Sequence, residues 1–130
     1  MGYKEVLRKG QLEILLRLPE QLRVRYNELE RLLEATKSDV AEYGLEGIHI
    51  HGDEFIRQYL SFIDMCQYRR KALEDAVKEG VLSSSEVATA SGVLNEYIER
   101  AKRLKEAFDR LKGRVPGVGK AWGNNEGFER

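Results

Sequence analysis

One cysteine, Cys66, is all the thiol this chain has, so no internal disulfide framework can form, and a reducing compartment such as the cytoplasm is the expected setting. Only two prolines interrupt 130 residues, which leaves room for long helices. No apolar run approaches the ~20 residues of a membrane span. The most apolar stretch, Leu12 to Leu18, is broken by Glu13 and Arg17, which also spoil it as a signal-peptide core. Met1-Gly2 has Val6 where a myristoylation signal needs serine or threonine. Neither sign of charge is in excess: 22 basic residues face 22 acidic ones, for a formal net charge of zero. That balance argues against a dedicated nucleic-acid or acidic-lipid coat, while leaving local patches open. What is present is 42% hydrophobic and 34% charged residues, too apolar for a disordered chain and enough for one domain.

Spacing organises the apolar residues. From Leu22 they run Leu22, Tyr26, Leu29, Leu33, Thr36, Val40 and Tyr43, alternating steps of four and three. A second run is Phe55, Tyr59, Phe62, Cys66, Arg69, Leu73 and Ala76, with one charged member. A third is Val87, Ala90, Leu94, Tyr97, Ala101, Leu104, Phe108 and Leu111. A 3.5-residue repeat keeps one seam facing a partner helix, so three such runs imply left-handed bundle packing. No segment holds a period-two pattern for more than a few residues. The predicted class is therefore all-α: an antiparallel left-handed helical bundle of three long helices plus a short N-terminal helix, with a Gly-rich C-terminal tail. The bundle domain is placed at 1–112 and the tail at 113–130.

Boundary signals refine this. Ser83-Ser84-Ser85-Glu86 reads as a capping box opening a helix over 84–112, with Leu82 and Val87 at the positions of a hydrophobic staple. Gly80 closes the preceding helix, predicted over 54–79 with Asp53 as its N-cap, so these two helices form an antiparallel hairpin. Gly44 to Gly52 holds three glycines and reads as a connecting loop. Pro19 removes the hydrogen bond to Leu15 and costs ~3 kcal/mol inside a helix. A break or strong kink is expected there, separating a helix of 3–17 from one of 20–43. With the 44–53 loop between antiparallel helices, Arg69 falls near the level of Leu29, its stem on apolar side chains and its guanidinium reaching Glu28, Glu30 or water.

Chemistry-bearing residues are few. The string His49-Ile50-His51-Gly52-Asp53 resembles the HxHxDH ligand run of the metallo-β-lactamase fold, which would imply metal-dependent hydrolysis at His49, His51 and Asp53. Glu54 stands where the final histidine belongs, and that fold is built on sheets. The plainer reading is a structural loop with Asp53 capping a helix. No acidic residue occupies a seam position, so no buried carboxylate pair for acid–base or di-iron chemistry is visible. Cys66, at a seam position, reads as a buried inert thiol. No catalytic residue is assigned and no cofactor is implied.

Val115-Pro116-Gly117-Val118-Gly119-Lys120-Ala121 is similar to the hairpin of the helix-hairpin-helix family, whose Pro-Gly-Val-Gly turn offers backbone amides to a DNA phosphate. The resemblance implies phosphate contacts from Gly117, Gly119 and Lys120, although Gly123-Asn124-Asn125 would stop its second helix after one turn. A Walker A loop is excluded by spacing and by Ala121 where serine or threonine is required. The segment 84–112 adds Arg100, Arg103 and Arg110, a candidate nucleic-acid face. Each follows a glutamate by four residues (Glu96, Glu99, Glu106), which reads instead as a solvated, ion-paired helix surface.

The N-terminal segment offers another surface. Val6, Leu7, Leu12, Ile14, Leu15, Leu16 and Leu18 cover more of a helix than one seam requires, so several sides need cover. Trp122 and Phe128 lie among glycines and asparagines, with no periodic segment to bury them. The sequence thus predicts a non-catalytic helical-bundle interaction or assembly protein, homo-oligomeric and binding a protein partner, with Leu12, Leu15, Leu16, Trp122 and Phe128 as contact residues. The alternatives are a nucleic-acid-associated accessory protein using the basic face and the Pro-Gly-Val-Gly turn, and, third, a metal-dependent enzyme at His49 and His51.

Overall fold

A computed structural model describes residues 2–114, and among these the chain is helical throughout with no strand. Helix α1 runs Tyr3–Tyr43, a 3₁₀ turn follows at Gly44–Gly47, α2 runs Ile48–Lys78 and α3 runs Ser84–Arg114. No helix among the described residues is long and apolar enough to cross a membrane.

Three boundaries differ from the sequence reading, the smallest at the end of α3, which runs on through Gly113 to Arg114 and so takes in the first two residues placed in the tail. The separate N-terminal helix is absent: α1 continues through Pro19. The cost of ~3 kcal/mol for an interior proline is outweighed by its neighbours, since Leu18 and Leu22 are completely buried and each contributes about 1.5–3 kcal/mol. Pro19 itself faces solvent. The expected loop is also mostly helix. Only Gly44, at φ +72°, takes the left-handed conformation that stops α1. The Ile48 amide donates to the Leu45 carbonyl, so the 3₁₀ turn feeds straight into α2. Asp53 therefore lies inside α2 and is not its N-cap.

The other two glycines of this segment serve packing. A Cβ at Gly47 would stand 2.2 Å from the Asp39 carbonyl oxygen, and one at Gly52 would stand 3.0 Å from Phe108 Cε1. Glycine is there because backbone and ring come that close, and periodicity does not reveal it.

The helices contribute to two compact units. The first combines Met1–Asn27 with Ser61–Arg100. Its interior is built from Leu18, Leu22, Tyr26, Phe62, Cys66, Leu73, Leu94 and Ile98. Tyr97 meets Tyr26 and Phe62 edge-on, at ring-centroid distances of 5.6 Å and 6.5 Å. The turn between α2 and α3 forms as a Schellman motif: Gly80 has φ +75°, the Val81 amide donates to Ala76 at 2.9 Å and the Gly80 amide to Val77 at 3.1 Å. The buried pair Val81 and Ala76 supplies its usual hydrophobic contact positions. The capping box is present as predicted, with Glu86 N donating to Ser83 Oγ at 3.2 Å and Ser83 N to Glu86 Oε1 at 2.8 Å.

The second unit combines Glu28–Leu60 with the described part of Ala101–Arg130. Leu29, Leu32, Leu33, Ile48, Phe55, Ala101, Phe108 and Leu111 are buried in it. Phe55 stacks on Phe108 at 5.0 Å. Thr36, fully buried, satisfies its hydroxyl by donating to the Leu32 carbonyl at 2.7 Å. The predicted seam ends early here, since Val40 is half-buried and Tyr43 exposed.

Candidate interaction surface

The first turns of α1 lie against the α2–α3 turn. Arg8 forms a bidentate ion pair with Glu86, Nη1 to Oε1 at 2.8 Å and Nη2 to Oε2 at 2.5 Å, and Nη1 also points at the Val81 carbonyl at 3.5 Å. Glu86 is thus shared between its own helix cap and α1. The Arg8 hydrogen bonds, helped by the Ser83 amide, hold its carboxyl down to about 2. Lys4 Nζ lies 3.5 Å from the space a Cβ on Gly80 would fill. These contacts fix the helix end without burying its apolar side chains.

Of the seven apolar residues predicted to need cover, Leu18 alone is buried. Leu12, Ile14 and Leu15 are half-buried; Val6 and Leu16 are 57% and 82% exposed, and Leu7 lies at the edge of exposure. Tyr3 adds another exposed ring, at 79%. Leu12 and Leu16 are four residues apart and share one side of α1, with Leu15 adjoining. Trp122 and Phe128, named with them as contact residues, lie outside the described residues.

The other candidate sites fare differently. His49 and His51 do not converge: His49 Nδ1 is hydrogen-bonded to Asp53 at 3.1 Å, and His51 Nδ1 to Asp39 at 2.7 Å. Among the described residues no group of three histidine, cysteine or carboxylate side chains is placed to hold a metal ion. Arg100 is half-buried, its guanidinium 4.9 Å from the centre of the Tyr26 ring and 5.0 Å from that of Tyr97, with Glu96 at 3.7 Å. It is committed within its own unit. Arg103 and Arg110 face solvent. Gly117, Gly119 and Lys120 lie outside the described residues. Cys66 is fully buried, and burial pushes its thiol up to about 11, so it is protonated at neutral pH.

Arg69 departs from its predicted place. It does not reach Glu28, which pairs with Arg31, nor Glu30; it lines a groove with Gln21, Val24 and Arg25. The physical reason is the shorter connection, since α2 starts at Ile48, which moves the register of α2 along α1. The residue is half-buried, as expected, but its Nε is enclosed and has no hydrogen-bond acceptor among the described residues. Sequence reasoning missed this groove and the Arg8–Glu86 clamp. Both depend on pairings between residues at least 36 positions apart, for which a single sequence carries no signal. No protein family, characterised protein or solved structure matches the chain.

Proposed function

We propose that this chain is a non-catalytic interaction or assembly protein that self-associates through the N-terminal turns of α1. In this reading residues 1–112 form the folded domain, and the helical segments within each unit pack as antiparallel, left-handed bundles. The pairings Arg70–Asn95 and Phe62–Tyr97 support the antiparallel hairpin, since earlier residues of α2 meet later residues of α3. A cytoplasmic setting suits the single buried thiol.

The observation that carries the proposal is the exposure of Tyr3, Val6 and Leu16 on a helix end already fixed by an ion pair. An apolar surface held rigidly costs little further entropy to dock, which favours a specific interface over a floppy anchor. The occupant is a second copy of this chain. The nucleic-acid alternative retains only Arg103 and Arg110 as exposed arginines among the described residues of its proposed face, and it is the weaker reading.

Light scattering on the full chain tests the proposal. The native protein is expected above the 15.0 kDa of one chain, and the double variant Val6→Glu/Leu16→Glu at that mass with its helicity intact. A native protein that stays at one-chain mass at high concentration would overturn it.

A further inference from the structure

The outward face of α1 is complementary to its own reverse. Val6, Lys9, Glu13 and Leu16 follow one another at steps of three, four and three, the spacing of residues that share one face of a packed helix, and all four are exposed. Glu5 and Arg17 flank this row and are exposed as well. Gln11 marks the centre. Val6 and Leu16 are equidistant from it and both apolar, Lys9 and Glu13 are equidistant and opposite in charge, and so are Glu5 and Arg17.

These charges are also uncommitted. Elsewhere on α1, Glu20, Glu28 and Glu34 each pair with a cation three residues further on, and Arg8 pairs with Glu86. Glu5, Lys9, Glu13 and Arg17 succeed one another at i, i+4 spacing, yet none of them is ion-paired among the described residues. Turning a second α1 end for end against this face lays acid on base and apolar on apolar. That is the requirement of a two-fold interface, in which residue i meets j while j meets i. Two copies running in the same direction would instead set Lys9 on Lys9 and Glu13 on Glu13. A uniformly acidic or basic partner would satisfy only two of the four charges.

We propose that two copies of this chain associate through antiparallel α1 helices about a two-fold axis at the level of Gln11. Each Val6 packs on the partner's Leu16, each Lys9 pairs with the partner's Glu13, and each Glu5 with the partner's Arg17. This rests on the reading of the chain as self-associating through α1 and adds the direction and register of the pairing. Ion pairs at an exposed face fix register more than they add affinity, and salt weakens them. A neutral side chain at position 9 of one copy removes one of the two Lys9–Glu13 pairs and leaves the other contacts in place.

Concentration-dependent light scattering on the full chain measures the association, with helicity followed by circular dichroism. Lys9→Glu and Glu13→Lys each set like charges opposite one another at both symmetry-related places, and each should weaken self-association roughly tenfold or more. Mixing the two single variants, or combining them as Lys9→Glu/Glu13→Lys, returns acid to base and should restore affinity to within about threefold of native. Disulfide trapping reads the direction independently of the charges. Val6→Cys chains mixed with Leu16→Cys chains should form the mixed disulfide in preference to either homodimer, since two Val6 residues lie about 15 Å apart along an antiparallel pair. Cys66 is fully buried and does not compete. Single charge variants that associate as tightly as native, a mixture no tighter than its components, or Val6→Cys chains that crosslink preferentially to themselves would each overturn the proposal. In those cases a native mass above 15.0 kDa leaves self-association standing. A native protein at one-chain mass would overturn both readings.

Discussion

Replacing Gly52 by alanine sets two opposed effects against each other. In an open helix interior the change stabilises by about 1 kcal/mol, because alanine has the higher helix propensity. At Gly52 the new methyl would meet Phe108 Cε1 at 3.0 Å and Cζ at 3.2 Å, with Thr36 Cγ2 at 3.6 Å. The Phe108 ring is buried and stacked on Phe55, so it has little freedom to retreat. Overpacking of this kind costs about 1–3 kcal/mol. Gly92 is the control, also within a helix but with nothing inside 4 Å of its added Cβ. Gly92→Ala is expected to gain about 1 kcal/mol, and Gly52→Ala to fall about 1–3 kcal/mol below it. Urea denaturation followed by circular dichroism measures both, with unchanged m-values required for the comparison. In a Phe108→Leu background the penalty at Gly52 should shrink, because the obstructing ring is gone. A Gly52→Ala protein as stable as Gly92→Ala would refute the close approach and return 44–52 to the loop that its glycines suggest.

Gly47→Ala should be more damaging still, by about 3 kcal/mol or more in the same assay, because the obstacle is the Asp39 backbone at 2.2 Å and not a side chain. Leu29→Ala and Phe62→Ala, both at fully buried seam positions, should each cost about 2–5 kcal/mol by denaturant titration. Glu86 has a folded-state carboxyl held at about 2, below its ordinary 4.5, so its contribution is complete above pH 4.5 and disappears as pH falls toward 2. Arg8→Met should flatten the acid limb of the stability–pH curve across that window; an unchanged slope would mean the ion pair does not persist in solution.

The heptad spacing read the core of both units well where one residue type did one job. Leu22, Leu29 and Leu33 in α1, Phe62 and Cys66 in α2, and Leu94 and Phe108 in α3 are all buried. Ser83 and Glu86 were legible because a capping box is local, four residues whose polar groups satisfy each other. Pro19 and Gly52 mislead for one shared reason: each carries a local signal for ending a helix, and tertiary burial of Leu18, Leu22, Ile48 and Phe55 overrides it. For Arg69 the seam pattern gives the right exposure but the wrong neighbours, because its register depends on the length of a connection that is mostly helix. The exposed residues of α1 were visible in sequence as an excess of leucine and valine, although periodicity alone does not say which side remains uncovered.

The location of the self-association surface is the central claim, and intermolecular paramagnetic broadening tests it most directly. Lys9 is exposed on the first turns of α1, and Cys66 is buried with its thiol held protonated, so a nitroxide reagent will modify Lys9→Cys selectively. Spin-labelled chains are mixed with ¹⁵N-labelled native chains, and the amides of the native chains are observed. Broadening concentrated on residues 3–17 of the unlabelled copy, and lost on Val6→Glu/Leu16→Glu, is the expected result. Association by light scattering with broadening centred instead on Leu45, Ile50 and Leu60, exposed apolar residues of the other unit, would contradict the account.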